Sequence, residues 1–146
     1  MSFTSDLLET PPKLSSASEW TAMNGYVYLS LGALFIVWPG AVQTIFRDDN
    51  FAGHEAALFR VIGLTVAVIG WLYLFGGRSG GRQTVAASIL DRWILVPAVL
   101  VPIAMAGVFP HALLAFALLD ASLALGAWLL RRKLDRSARS GSPLLR

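Results

Sequence analysis

Apolar residues along this chain fall into four long runs, parted by short stretches rich in glycine, proline or charge. The last run is the cleanest: HALLAFALLDASLALGAWLL, His111 to Leu130, ends at Arg131, Arg132 and Lys133. A helix rises about 1.5 Å per residue, so about 20 residues cover about 30 Å, the thickness of a bilayer's hydrocarbon core. Runs over 20–38, 56–75 and 90–109 have similar length. Trp20 and Trp38 bracket the first, where interfacial aromatics belong. Ser16-Ala17-Ser18-Glu19 has the spacing of a capping box, and Pro39-Gly40 marks the end of that helix. Asp49 or Asn50 stands where a cap for the second run is expected. The third run carries Pro97 and Pro102, which remove helix hydrogen bonds and should bend it, with 84–90 as an amphipathic lead-in. Pro110 suits the first position of the fourth helix. No period-two alternation appears, which argues against a β-barrel.

The fold class predicted is therefore an all-α integral membrane protein, a four-transmembrane-helix antiparallel bundle over 19–131. A disordered N-terminal tail over 1–18 and a basic disordered C-terminal tail over 132–146 are expected to flank it.

Composition agrees. The 146 residues are 55% hydrophobic and 14% charged, against about 25% charged in a soluble domain. The absence of cysteine excludes disulfides, thiolate metal sites and covalent c-type haem. Asp6 and Glu9 stand where a signal peptide would be basic. The 76–82 loop, GGRSGGR, follows no strand and lacks GK[ST], so it reads as a basic turn and not a phosphate cradle.

Charge sets the expected orientation. Four spans put Lys13, Arg78, Arg82, Arg131, Arg132, Lys133, Arg136, Arg139 and Arg146 on one side, against Arg47 and Arg60 near the other. The positive-inside rule then places both termini in the cytoplasm and the protein in the cytoplasmic (inner) membrane. Anionic membrane lipids are the expected neighbours of the basic segments. Nucleic acid is not, because no folded module or aromatic interleaving accompanies the charge.

Small residues mark helix faces. Ala56, Gly63, Gly70 and Gly77 recur every seven residues in the second run; Gly25 and Gly32 flank Tyr28 in the first; Ala117, Asp120, Ala124 and Ala127 line the fourth. Close packing of small residues is what associates helices in lipid.

Asp120 is the sharpest chemical signal, since a carboxylate at mid-span costs about 2.5–3.5 kcal/mol on insertion scales. It is expected to be protonated, paired or beside water, as a proton-carrying or ligand-binding group or as a structural contact with Tyr28, Tyr73 or Ser30. Arg60 is its expected partner, with an interfacial ion pair to Glu55 or Asp49 as the alternative. Asp91 and Arg92, with Glu55, read as helix-end charges or as the mouth of a polar path. His54 and His111 are weak metal or haem candidates at the outer ends of two spans. No cofactor is expected, and no Ser, His and acid constellation suggests an enzyme.

The span count, Arg60 in LFRVIGL and Asp120 in LLDASLAL resemble small four-span bacterial membrane families, including the DoxX-like group. The resemblance carries no activity. The leading expectation is a membrane accessory subunit or a binder of a lipid-like or hydrophobic ligand, with a partner membrane protein or a homo-oligomer possible. A proton-coupled transporter or channel subunit using Asp120 is the second. A membrane redox protein with haem or metal at His54 and His111 is the third.

Overall fold

The computed structural model describes residues 9–140 of the chain, and side chains as far as Ser137. Among these, every regular element is helical: α1 (Ser16–Val37), α2 (Ala41–Phe46), α3 (Glu55–Arg78), α4 (Arg82–Leu90), a π-helical turn (Asp91–Leu95), α5 (Val96–Met105) and α6 (Pro110–Ser140). Helix α4, the π turn and α5 run on as one helix over Arg82–Met105. With α1, α3 and α6 this makes four helices long and apolar enough to cross a membrane. One end of the bundle carries the start of α1, the end of α6 and the turn at 79–81. The other, here the loop end, carries the 38–54 connection and the turn at 106–109.

The tightest pairing is α1 on α3. A Cβ added at Gly25 would lie 2.5 Å from the Leu74 backbone nitrogen, and one at Gly70 would lie 2.6 Å from that of Leu29. Nearer the loop end, a Cβ at Gly32 would meet the Ala67 nitrogen at 2.6 Å. The small faces legible in the first two runs therefore meet each other, backbone on backbone. Long side chains such as Met23, Leu64, Trp71 and Leu72 are turned to the exterior. Such exposed apolar residues, on four helices long and apolar enough to cross a membrane, suggest a multi-pass membrane protein.

The π turn follows from Pro97. Proline has no N–H for the carbonyl four residues back, and its ring crowds that carbonyl. The helix widens just before it, and the Val96 N–H bonds the Asp91 carbonyl five residues back. The predicted disturbance of this helix is thus a π turn at 91–95, while Pro102 sits inside α5.

Boundaries differ from expectation in ways that matter below. The third long helix starts at Arg82, not near residue 90, and stops at Met105. Helix α6 continues past the expected end at 131 to Ser140, since no proline or glycine interrupts 127–140. The tail expected over 132–146 is therefore helical as far as Ser140. The first helix begins inside the expected N-terminal tail. Its cap is Ser15, one residue before the expected one, whose Oγ accepts from the Ser18 N–H at 3.1 Å. The rest of both tails, 1–8 and 141–146, lies outside the described residues.

Neither Asp49 nor Asn50 caps α3; its N-cap is His54, without a side-chain bond. The acid that matters in this loop is Asp48, which sequence reasoning passed over. Its buried carboxylate accepts from the backbone N–H groups of His111 (3.1 Å) and Ala112 (2.9 Å), and His111 Nδ1 lies 2.7 Å away. Those N–H groups are unpaired donors of the first turn of α6, and a carboxylate there also meets the positive end of the helix dipole. Asp48 thereby ties the long connection to the start of α6. Phe109, held at φ 42°, packs on the rings of Phe51 (5.8 Å) and Phe59 (5.0 Å) beside it.

Candidate functional site: a polar cluster beside an apolar cleft

Six polar side chains from all four long helices meet in the interior. Asp120 on α6 and Tyr28 on α1 are 1% and 3% exposed, and the Tyr28 hydroxyl donates to Asp120 Oδ1. Tyr73 on α3 donates to Asp91 Oδ2 at 3.0 Å. Between the two tyrosines lies the guanidinium of Arg92, itself 1% exposed. Its Cζ is 5.0 Å from the Tyr28 ring centroid and 4.3 Å from that of Tyr73. The two rings meet edge to face at 5.4 Å. Such stacking on π faces suits a desolvated guanidinium.

Asn24, one turn before Tyr28, completes the cluster. With its amide oriented to suit its neighbours, its nitrogen donates to the Trp20 carbonyl at 3.2 Å and its oxygen accepts from Arg92 Nη1 at 2.9 Å. The remaining donors of Arg92 are another matter. Nε and Nη2 are buried and have no hydrogen-bond partner among the described residues. A buried N–H without a partner costs about 1–3 kcal/mol.

Asp91 and Arg92 both reach Tyr73 from the π turn. Neighbours in an α-helix point about 100° apart, from 3.6 residues per turn. A π turn narrows that angle only a little, and the two side chains take different parts of one tyrosine. One ends on the Tyr73 hydroxyl and the other on its ring.

On the loop side of this cluster lies an apolar cleft of about 350 Å³. Its walls include Phe35 from α1, Phe59 and Val66 from α3, Leu95 and Val99 from the third helix, and Phe116 from α6. The cleft exists because α3 packs on α1 while α5 packs on α6, leaving a gap between the two pairs. Phe116 and Val66 belong to both regions, since each packs with Tyr28 and lines the cleft.

The residues singled out from sequence divide accordingly. Asp120, Tyr28, Tyr73, Asp91 and Arg92 come together. Arg60 does not join them: it is exposed and its Nε donates to the Ile36 carbonyl at 3.3 Å, satisfying an open carbonyl at the end of α1. The cation beside the tyrosines is Arg92. Placing the helix start near residue 90 put Arg92 at an interface; from the true start at Arg82 it lies near the middle. Glu55 accepts from the Ala52 N–H in the loop, far along α3 from Tyr73. His54 is exposed, and His111 is engaged with Asp48. Among the described residues no three His, Asp or Glu side chains gather as a metal site. Asn24 was missed; its spacing of four from Tyr28 was the available signal.

Compared with known proteins, the chain matches no family model, no curated protein and no solved structure, so its likeness to the DoxX-like group is one of layout alone.

Proposed function

We propose that this chain is a small multi-pass protein of the cytoplasmic membrane, with both termini inside, that holds a lipid-like hydrophobic ligand between its helix pairs. One observation carries the reading: the cleft of about 350 Å³, walled by apolar side chains from all four long helices. Ligand pockets have volumes of about 300–1,000 Å³ and pair apolar walls with a few placed polar groups. Here those groups are the tyrosines, acids and arginine beyond Phe116. The basic residues at the chain ends support the orientation.

The test is to fill the cleft. Ala112 lines it and is buried, so Ala112→Trp projects a ring into the space. Val68→Trp, on the exposed outside of α3, is the control. Protein purified in mild detergent is extracted and its bound hydrophobic molecules are quantified by mass spectrometry. Wild type and Val68→Trp are expected to retain one dominant hydrophobic species near one per chain. Ala112→Trp is expected to lose at least about nine-tenths of it, the effect of about 1.4 kcal/mol or more in binding. Equal retention by Ala112→Trp, or no retained species in wild type, would overturn the reading.

A further inference from the structure

The cleft and the polar cluster are two ends of one interior. Each long helix shows this along its own inward face. Phe35 follows Tyr28 by seven residues, Val66 precedes Tyr73 by seven, Phe116 precedes Asp120 by four, and Val96 follows Arg92 by four. Spacings of four and seven keep residues on one face of a helix. In every helix the step from polar to apolar residue runs towards the loop end. The interior is therefore amphiphilic along the bundle axis, and an amphiphile lying in the cleft would point its head at Arg92.

What Arg92 offers is specific. Nη1 is used by Asn24, while Nε and Nη2 are free. Those two N–H groups form one edge of the guanidinium plane, the edge that binds an oxygen acceptor side-on. Neither tyrosine hydroxyl accepts from that edge in hydrogen-bonding geometry, each being turned to donate to a carboxyl group. One carboxyl group, Asp91, is held on Tyr73 beside this single cation, and a second, Asp120, is held on Tyr28, whose ring the cation also faces. A further anion would add like charge in a low-dielectric interior, whereas a neutral acceptor completes the donors without that cost.

We propose that the ligand of this cleft carries a neutral carbonyl group, as in a long-chain ketone, ester or quinone, and that Arg92 Nε and Nη2 hold its oxygen. The inference rests on the cleft being the ligand site. Phe116 stands between the two regions, packed on Tyr28 and lining the cleft.

Three probes of matched chain length test it: hexadecane, 2-hexadecanone and palmitate, each against wild type, Arg92→Lys and Ala112→Trp in detergent. Bound probe is counted by native mass spectrometry, and the ketone carries a ¹³C label at its carbonyl. Wild type is expected to bind the ketone about tenfold or more tighter than the alkane, from a hydrogen bond to a charged donor. Its carbonyl resonance is expected to move downfield on binding. Arg92→Lys, which keeps the charge and loses the planar edge, is expected to shrink that ratio to within about twofold while still binding the alkane. Ketone and alkane binding equally to wild type would overturn the head-group proposal and leave the cleft reading standing. So would palmitate binding tightest of the three. Binding of no probe, or equal binding by Ala112→Trp, would overturn the cleft reading and the head-group proposal with it. Should Arg92→Lys not fold, the wild-type ratio and the carbonyl shift decide alone.

Discussion

Leucine in place of Gly25 or Gly70 is expected to separate α1 from α3 and to destabilise the protein by about 3 kcal/mol or more, the upper end of overpacking costs. The reason lies in what the new side chain meets. At both positions the first atom in the way is backbone, the Leu74 nitrogen at 2.5 Å from a Cβ on Gly25 and the Leu29 nitrogen at 2.6 Å from one on Gly70. A crowded side chain can change rotamer; a helix backbone held by its own hydrogen bonds cannot. The helices must move apart, and the whole crossing loses its contacts, including those of Gly32 with Gly63. Helix association in lipid has little hydrophobic drive to compensate. Even Gly25→Ala is expected to be damaging, although alanine is the better helix former. Unfolding by SDS titration, followed by circular dichroism, gives the comparison. Val68→Leu on the exposed face of α3 is expected to stay within about 0.5 kcal/mol of wild type. A Gly25→Leu protein as stable as wild type would mean that the two backbones do not cross there.

Arg92→Met carries the second large effect, a loss of about 3 kcal/mol or more in the same titration. Two effects oppose one another. Removing the guanidinium relieves the buried Nε and Nη2 of their missing bonds, a gain of about 1–3 kcal/mol. It also removes the hydrogen bond to Asn24, the stacking on Tyr28 and Tyr73, and the positive charge beside Asp91, which shares Tyr73 with it. Removing one partner from a buried set of charges costs about 3–5 kcal/mol, and each desolvated stacking contact is worth about 2 kcal/mol. The losses win. Arg92→Lys keeps the charge and is expected to cost about half as much. Arg60→Met removes one bond from an exposed side chain and is expected to cost no more than about 1 kcal/mol. A reversed order, with Arg60→Met worse than Arg92→Met, would return Arg60 to the place the sequence suggested.

That exchange of arginines shows what the sequence could carry. The helix count, the small faces of the first two runs and the burial of Asp120 all follow from hydrophobic length and from spacings of four and seven. Those patterns are local to one helix. The partner of a polar residue is not local, because it depends on the rotation and depth of four helices at once. Arg60 looked right because Ala56 and Gly63 share its face and because it lay in a clean apolar run. Arg92 looked peripheral because RQTVAAS, at the start of α4, is too polar to resemble a membrane span, which displaced the apparent helix start. The π turn falls on Asp91 and Arg92 themselves, and only Pro97 hinted at it. Asp48 was overlooked for a similar reason: its partners, the N–H groups at the start of α6, lie more than 60 residues away along the chain. The apolar cleft has no sequence signature, because it is a gap between helix pairs and no residue type marks a gap.

The account depends on Asp120 facing Tyr28 inside the bundle, and a double-mutant cycle on Tyr28→Phe and Asp120→Leu measures that contact directly. Each change is made alone and together, and stability is read from SDS unfolding. The hydrogen bond between α1 and α6 is expected to give a coupling of about 1 kcal/mol or more, with the second change costing much less once the first has been made. Costs that add to within about 0.3 kcal/mol, or an Asp120→Leu protein more stable than wild type while Tyr28→Phe is neutral, would show a carboxyl group turned outward to the acyl chains and would contradict the interior site.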